Sequence, residues 1–520
     1  MEALTAPDAE RASSSGRRPA LVFVGFMGAG KSSAARTVAR AIGERAADAD
    51  RELERALGEP IESFFDREGE DEFRRREEAH VIDLLARPDL GVAALGGGAL
   101  GSERVRDALR RHVVVHVEIE PEAAWRRVSG KGRPLARDRA EFEALYEARR
   151  STYEQAADAT LPAGDRSLAT HAAPALGALR DAPAGTRLVW ARARSGEYPV
   201  FVGRDLLEAG FFHPLDGRRF AVTDTNVARL HTVAADWVRE IPPGESEKTL
   251  ARAEEVLRAM AVAGVERDDV VAAVGGGVVG DLAGFCAAVY QRGVRHVQVP
   301  TTLVAQVDSA YGGKTGVDLP EGKNYAGVYR QPAAVLVDPA ALETLPAEEL
   351  AAGCAEVVKT ALIAGGPLWE SVRAGADTDV ATILGCLRTK LAIVAEDERD
   401  EGRRQVLNLG HTVAHAIEAA TGYSRFRHGE AVALGLLCAL RLSGRDDLRD
   451  EVARLLRARG LADRGDGFDP DDVLALVARD KKRRGGRVPF VLVDAPGRVT
   501  TGHEVPEADL RAAVEEVREA

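Results

Sequence analysis

Cysteine is scarce in this chain: 520 residues hold four, Cys286, Cys354, Cys386 and Cys438, with no paired close spacing. That excludes a disulfide framework and a cysteine-ligated zinc site, and it fits a reducing cytoplasm. A leader-like apolar run is also lacking. The opening MEALTAPDAERASSSGRRPA holds acids, Ser, Pro and Arg, so residues 1–18 read as a disordered tail rather than a signal peptide. The most apolar stretch, VVAAVGGGVVGDLAGFCAAVY, is broken by Asp281 and five glycines, which predicts a buried strand and helix and no membrane span. An excess of basic charge is missing as well. Lys and Arg number 70 against 82 Asp and Glu, a formal net charge of -12, which argues against a nucleic-acid partner. Any anionic ligand must be caught by a local basic pocket.

What is present is more apolar material than one core normally absorbs, 45% of the chain, so two or three folded units are expected. From about Leu21, short apolar runs alternate with helical segments: LVFVGF, a helix from Lys31, VAALGGG and VVVHVEI. A second alternating run opens at LVWARARSGEYPVFVG and continues through FAVTDTN, VVAAVGG and HVQVPTT. Both patterns predict α/β units with parallel sheets. Between them DAPAGT, Asp181 to Thr186, reads as a hinge. After Pro346 amphipathic stretches such as EELAAGCAEVVKTALI replace the strands and predict a mostly helical part. The expected divisions are residues 19–181, a linker at 182–186, then 187–345 and 346–520.

GFMGAGKS, Gly25 to Ser32, matches G-x-x-x-x-G-K-[ST] directly after a strand and before a helix. In that setting the loop N–H groups and the helix N-terminus meet phosphate, Lys31 adds a point charge, and Ser32 offers a hydroxyl to Mg²⁺. A P-loop identifies the nucleotide and leaves the acceptor open. AADAD places Asp48 and Asp50 two residues apart. On one face of a strand end, one would serve Mg²⁺ and the other the acceptor hydroxyl; taken alone, such a pair is more often a solvated helix start.

GFMGAGKSS, DAD, EFRRREE, LGGGA, GRPLA and Arg149, four residues before Tyr153, occur in the order seen in shikimate kinases. The chain resembles that family over about Pro19 to Asp181. The resemblance implies a P-loop parallel-sheet domain that binds ATP through Gly28, Ala29, Gly30, Lys31, Ser32, Ser33 and Arg133, with Mg²⁺ at Ser32 and Asp48. It implies that Asp50 orients and deprotonates the shikimate 3-hydroxyl. Arg74 and Arg149 would clamp the carboxylate, because a guanidinium fork matches it bidentately. Gly97 would let the backbone approach the ring where a Cβ would collide. Arg133, in the lid-like GKGRPLARD, would close over the transferring phosphoryl group. A regulatory nucleotide sensor is the alternative, and the intact set Asp50, Arg74, Arg133 and Arg149 argues against it.

Further on, GGGVVGDLAGF, Gly275 to Phe285, follows a strand and leads into a helix. That arrangement suits a pyrophosphate, although it is not G-x-G-x-x-G and serves close packing equally well. HTVAH puts His411 and His415 one turn apart on a helix face. Spacing alone makes both metal ligands, without the glutamate base of a zinc protease. His428 in RHGEAV and Glu356 in AEVVK add the remaining members of a His₂Glu set plus one.

PGESEKTL, GGGVVGDLAGF, YQRGVRHVQVPTTLVAQVDSAYGGKTGVD, GKNYAG, AEVVK, NLGHTVAHAIE and HGEAVALG run in the order of 3-dehydroquinate synthases. The resemblance covers about Leu188 to Arg518. It implies a Rossmann-like NAD domain followed by a mostly α-helical metal and substrate domain. The metal, Zn²⁺ or Co²⁺, would take Glu356, His411 and His428, with His415 turned to the substrate, against the reading from spacing. NAD⁺ would be held by Asp224, Asn226, Glu245, Lys248, Gly276, Gly277, Val278, Asp281, Thr301, Thr302 and Lys323. The substrate would meet Asp308, Lys314, Asn324, Lys359, Lys390, Arg404, Asn408, His415 and a lysine of RDKK, Lys481 or Lys482. Lys314, Lys359 and His415 would act in catalysis. Arg292 would reach the phosphate from a partner subunit, implying a homodimer. 3-Deoxy-D-arabino-heptulosonate 7-phosphate carries a phosphate and a carboxylate, so a Lys and Arg cluster makes chemical sense. Zinc would polarise the hydroxyl to be oxidised and NAD⁺ would take and return the hydride, with no net redox.

Two departures stand out. Asp400 occupies a position where the family usually has Glu, and Pro242 and Pro243 precede Gly244 where an acid is common. Another sugar-phosphate cyclase or a polyol dehydrogenase are the competing readings, and the basic set with His415 disfavours the dehydrogenase.

Overall fold

A computed structural model describes residues 18–129, 138–164, 166–483 and 488–519, with the side chains of Arg166 and residues 480–483 excluded. Arg133 and most of the expected tail lie outside the described residues, as do the side chains of Lys481 and Lys482. The chain divides into two compact units. The first is Met1–Trp190 with Pro199–Leu206 and Phe211–Pro214, and the second takes Ala191–Tyr198, Leu207–Gly210 and Leu215–Ala520. The expected hinge, Asp181 to Thr186, falls inside the first unit, and Leu188 and Val189 just beyond it pair in parallel with Ala159 and Thr160.

In the first unit the parallel strands lie in the order Ala46–Asp48, Val92–Ala94, Leu21–Val24, Val113–Glu118, Ala159–Pro162. Leu21–Val24 is buried along its whole length, as a strand covered on both faces must be, which is why it reads as an unbroken apolar run. The chain leaves it for Ala46–Asp48 on one side, fills the place between with Val92–Ala94, and then crosses to Val113–Glu118 on the other side. That reversal of strand order opens a crevice at the strand's carboxyl end, and the P-loop fills it.

The second unit repeats the logic. Its strands run parallel in the order Ala334–Val337, Arg295–Pro300, Val270–Gly275, Arg219–Asp224, Trp237–Ile241. Order reverses between Arg219–Asp224 and Val270–Gly275, so Asp224 and the glycine turn flank one switch point. VVAAVGGGVVGDLAGFCAAVY resolves into that strand and the helix Gly277–Val289, and among the described residues no helix is long and apolar enough to cross a membrane.

After Pro346 the unit is helical, as expected, with one addition: Phe490–Ala495 and Arg498–His503 form an antiparallel hairpin. Helix Ala347–Ala364 is buried continuously from Ala352 to Leu362, and His428–Leu442 from Ala431 to Leu440. Helices apolar all round belong in a core. They cross closely because of two glycines. A Cβ at Gly429 would collide with the Ala352 carbonyl, and one at Gly435 with the Gly410 carbonyl. Ala352 lies one turn before Glu356, Gly410 precedes His411, and Gly429 follows His428, so these crossings set the distances among those three side chains.

Candidate functional sites

The first site is built around the P-loop. Gly28 and Gly30 take positive φ, 83° and 91°, which glycine adopts without a Cβ penalty. Helix Lys31–Ala41 starts directly after Gly30, leaving its first N–H groups, including those of Ser32 and Ser33, at a helix N-terminus suited to phosphate. Lys31 is buried, and its Nζ donates to the Phe26 carbonyl at 3.3 Å. Arg127, which sequence reasoning did not single out, donates to the Gly28 carbonyl at 3.1 Å.

Asp48 and Asp50 do not share a strand face. The strand ends at Asp48, which caps helix Ala49–Leu57 by accepting from the Arg51 N–H, and Asp50 lies in the first helical turn. An aspartate favours the cap because its carboxylate satisfies an orphan N–H. The bland reading of the pair, a helix start, is what folds. Asp50 still faces the acceptor side, since a Cβ on Gly96 would fall 2.7 Å from its Oδ1.

A cavity of about 490 Å³ brings Arg74, Gly97 and Arg149 together with Glu77, Gly98 and Tyr153. Arg149 Nη1 donates to the Gly97 carbonyl at 3.0 Å, and the Tyr153 hydroxyl donates to the same oxygen. Burial pushes the Tyr153 hydroxyl up to about 12, so it remains a donor. Arg74 pairs through Nη1 with Glu77 at 2.5 Å and through Nη2 with Glu70 at 3.1 Å. Burial lifts the Glu77 carboxyl above its ordinary value although Arg74 opposes the rise. A Cβ on Gly98 would collide with the Arg74 guanidinium. Glu77, Tyr153 and Gly98 are therefore parts of the pocket that sequence reasoning missed; the spacing of Glu77, three residues after Arg74 on a helix, was the available signal.

The second site has a nucleotide side and a metal side. Asp224 caps helix Thr225–Leu230, accepting from Asn226 N–H at 2.9 Å and Val227 N–H at 3.0 Å. Gly276 caps Gly277–Val289, with Val278 in its first turn. A Cβ on Gly276 would lie 2.8 Å from the Thr302 methyl, and the Thr301 N–H donates to the Gly275 carbonyl at 3.0 Å. Lys248 is buried with Nζ 2.8 Å from Glu245, 3.4 Å from Asp281 and 3.7 Å from Asp318. Burial raises Asp281 to about 6 against the pull of Lys248. The hairpin of Lys314–Leu319 and Gly322–Tyr329 carries Lys323, whose Nζ is 3.7 Å from Glu245 and 3.1 Å from Glu418. Asn324, at φ 58°, donates its N–H to Asp318 at 2.7 Å.

On the metal side Glu356 is fully buried on Ala347–Ala364. Its Oε1 lies 3.5 Å from His411 Nε2 and 3.4 Å from His428 Nε2, and its Oε2 lies 2.5 Å from Lys359 Nζ. One ligand atom from each of Glu356, His411 and His428 falls within 4.8 Å of the others. His411 Nδ1 faces the Leu409 carbonyl at 3.2 Å, an arrangement that turns Nε2 inward. Burial, then Lys359, pushes His411 down to about 3, so its imidazole is neutral, the form a metal needs. Glu356 Oε1 has no hydrogen-bond donor in line with it among the described residues. An orphaned buried carboxylate oxygen facing two imidazoles fits a divalent cation.

His415, one turn on, is exposed, its ring 5.3 Å from that of His411. It belongs instead to a second group with Glu418 and His428, so the pairing of His411 with His415 suggested by spacing is not the one that meets Glu356. Glu418 itself was missed. Around the metal side, Lys390 Nζ is 2.6 Å from Asp308 Oδ1 and Lys314 Nζ is 2.5 Å from Asp400. Buried Arg404 donates to the Glu398 and Gly312 carbonyls at 2.6 and 3.2 Å. Asn408 closes the turn Arg403–Asn408 that leads to His411. Arg292 is exposed, beyond the end of Gly277–Val289 opposite Gly276.

These geometries define a P-loop α/β domain followed by an α/β unit whose helical part carries a buried Glu and His cluster. Comparison with known proteins makes both halves specific. The shikimate kinase family model matches residues 27–179, and the 3-dehydroquinate synthase N-terminal and C-terminal models match 238–352 and 353–483. The 3-dehydroquinate synthase of Halorhodospira halophila is 42% identical over 354 residues, 64% of this chain and 100% of that protein. That of Acidithiobacillus ferrooxidans is 41% identical over 337 residues, 60% of this chain and 93% of its own. A solved 2-epi-5-epi-valiolone synthase from Streptomyces hygroscopicus subsp. jinggangensis, with NAD⁺ and Zn²⁺ bound, matches 63% of this chain and 98% of its own at 26% identity and a TM-score of 0.57. A 2-deoxy-scyllo-inosose synthase matches at 25% identity and a TM-score of 0.55, over 64% of this chain and 99% of its own. The chain belongs to the 3-dehydroquinate synthase family and carries a shikimate kinase domain ahead of it. It is a bifunctional enzyme of the shikimate pathway that acts on small molecules, with kinase and cyclase activities.

Proposed function

We propose that the kinase domain transfers phosphate from ATP with Mg²⁺ to the 3-hydroxyl of shikimate. The synthase part closes 3-deoxy-D-arabino-heptulosonate 7-phosphate to 3-dehydroquinate with release of phosphate, using NAD⁺ and Zn²⁺ or Co²⁺. The observation that carries this reading is the cluster in which buried Glu356 meets His411 and His428 beside Lys359. A cyclase that oxidises a hydroxyl needs a Lewis acid and a cation at one place.

In the kinase domain Gly28, Ala29, Gly30, Lys31, Ser32 and Ser33 hold the nucleotide phosphates, with Ser32 and Asp48 toward the metal, and Arg133 serves the transferring phosphoryl group. Arg74 and Arg149 take the shikimate carboxylate, Gly97 lies under the ring, and Asp50 accepts the hydroxyl proton. In the synthase Asp224, Asn226, Gly276, Gly277, Val278, Thr301 and Thr302 line the dinucleotide. Glu245, Lys248, Asp281 and Lys323 surround it with charge. When bound, the metal supplies Lewis acidity and NAD⁺ a reversible hydride acceptor. Lys314, Lys359, Lys390 and Arg404 neutralise the substrate, with Asp308, Asn324, Asn408, His415 and Lys481 or Lys482 completing the site.

The synthase acts in the cytoplasm as a homodimer. Arg292 lies a whole helix, about 20 Å at 1.5 Å per residue, from Gly276, so it serves a second copy rather than its own nucleotide turn. The divisions 19–181, 187–345 and 346–520 remain our functional partition. The test is an assay of both activities on the intact chain, with and without chelator. Failure to release inorganic phosphate from the heptulosonate phosphate in the presence of NAD⁺ and Zn²⁺ refutes the cyclase assignment.

A further inference from the structure

Glu418 lies on the same face of helix His411–Ala420 as His411 and His415, seven and three residues after them. Its side chain is 2% exposed. Buried carboxylates require partners, and Glu418 Oε1 has two of opposite allegiance. His428 Nδ1 lies 3.5 Å away, and Lys323 Nζ lies 3.1 Å away. His428 in turn directs Nε2 at Glu356, 3.4 Å off. Lys323 is 3.7 Å from Glu245, which holds Lys248 at 2.8 Å, which reaches Asp281 on the glycine-rich helix at 3.4 Å. Alternating charges thus run without a break from the metal cluster to the dinucleotide turn.

We propose that Glu418 is a positioning residue that fixes His428 for the metal and, through Lys323, makes metal and dinucleotide binding mutually reinforcing. Held by Glu418, His428 Nδ1 keeps the ring proton, and Nε2 is left with its lone pair toward Glu356 and His411. With a divalent cation bound, His428 would be a stronger donor to Glu418, Glu418 would hold Lys323 less tightly, and the Lys323 ammonium would be available to the dinucleotide. Linkage makes the effect reciprocal.

The competing role for Glu418 is as a ligand itself, since His415, Glu418 and His428 also converge. Burial argues against it. His415, the third member of that group, is exposed, whereas Glu356 and His411 are both buried.

The proposal rests on the metal-site reading, and the experiment separates the two. Zn²⁺ affinity is measured by chelator competition, and NAD⁺ affinity by calorimetry with and without Zn²⁺, on the full chain and on Glu356→Gln, Glu418→Gln and Lys323→Gln. Glu418→Gln is expected to lower Zn²⁺ affinity by about 10- to 100-fold, the usual effect of removing a carboxylate behind a metal-bound histidine. Zn²⁺ is expected to strengthen NAD⁺ binding by roughly fivefold or more in the natural protein, and that factor is expected to fall to near one in both Glu418→Gln and Lys323→Gln. Lys323 pairs with Glu245 and Glu418 and not with Glu356, so Lys323→Gln is expected to keep its Zn²⁺ affinity, and it carries the coupling test should Glu418→Gln fail to fold. Zn²⁺ affinity lost in Glu356→Gln but kept in Glu418→Gln overturns the proposal alone. Affinity kept in Glu356→Gln overturns the metal site and the proposal together. A coupling factor that survives intact in Lys323→Gln also overturns it.

Discussion

Gly97→Ala isolates the acceptor site from the fold better than any other single change in the kinase domain. A Cβ built on Gly97 lies 3.5 Å from Met27 N, 3.7 Å from the Gly25 carbonyl and 3.9 Å from Lys31 Nζ. All are ordinary contact distances, so the protein itself has room for the methyl. Gly96 and Gly98 offer no such separation, because a Cβ on either would strike Glu77 or Arg74. Gly97 has no positive φ, and alanine there restricts the unfolded chain, worth about 0.4–1 kcal/mol of stability. Thermal stability is expected to hold or rise slightly.

Gly97 lines the cavity that Arg74 and Arg149 share, and a methyl there would face Met27, Gly25 and the Lys31 ammonium. If the shikimate ring lies against this backbone, overpacking costs about 1–3 kcal/mol, or roughly 5- to 150-fold in affinity. Calorimetric titration with shikimate, or its KM at saturating nucleotide, reads the effect, and cyclase turnover on the same sample confirms an intact chain. An unchanged shikimate KM in a stably folded Gly97→Ala protein refutes the placement of the ring. A fall of several degrees in Tm refutes the claim that the space is free.

Asp50→Asn is expected to abolish shikimate phosphorylation while the cyclase rate is kept; full kinase activity would remove Asp50 from its role as base. Glu70→Gln releases one partner of Arg74, a half-exposed ion pair worth about 0.2–1 kcal/mol. The shikimate KM is expected to fall by roughly 1.5- to 5-fold, and a rise would show that Glu70 orients Arg74 instead of competing for it. Chelation is expected to stop phosphate release by the cyclase, with Zn²⁺ or Co²⁺ restoring it and Mg²⁺ alone restoring only the kinase; rescue of the cyclase by Mg²⁺ alone would contradict the Glu356, His411 and His428 site. His296 is buried, with neither ring nitrogen hydrogen-bonded among the described residues, and burial, then Arg330, lowers its pKa to about 4. Its neutral form is favoured in the fold, so its contribution is complete above the unfolded value of about 6.5 and is lost as pH falls toward 4, about 3 kcal/mol in all. His296→Leu is expected to flatten that acid limb in urea titrations between pH 7 and 4.5; an unchanged limb would mean that the loss comes from other groups.

The P-loop was legible because its chemistry is local: eight contiguous residues supply the glycines, the lysine and the helix start. The acceptor pocket was not, since Asp50, Arg74, Gly97 and Arg149 meet only through the strand order, and periodicity does not reveal which strand lies beside which. Asp48 and Asp50 show the cost of reading spacing without the element. Two residues share a face on a strand and not across a cap. The hairpin Phe490–Ala495 and Arg498–His503 was missed, although FVLV followed by Pro-Gly is a local strand-and-turn signal. HTVAH identified His411, but the choice between His415 and His428 depends on how closely His428–Leu442 crosses its neighbours at Gly429 and Gly435, a contact between segments far apart in sequence. Glu418 sat in plain view at helical spacing. A glutamate on a helix ordinarily reads as solvated, and only its burial against His428 and Lys323 says otherwise.

Anion capture by an acidic chain follows one rule in both halves. Several of the cations assigned to a ligand are already paired: Arg74 with Glu77, Lys314 with Asp400, Lys359 with Glu356, Lys390 with Asp308, Lys248 with Glu245. Burying an unpaired ammonium would cost several kcal/mol, and the resident carboxylates avoid that cost while the site is empty of substrate. Binding then exchanges one anion for another and desolvates little new charge. A cation held this way keeps a defined position, so orientation and charge arrive together. Because the exchange happens inside the protein, high salt should weaken substrate binding less than it would at a cluster of free surface lysines. This also explains why Asp400, one methylene shorter than the usual glutamate, is tolerated: Lys314 still reaches it at 2.5 Å, and the pair retains its place at the substrate side.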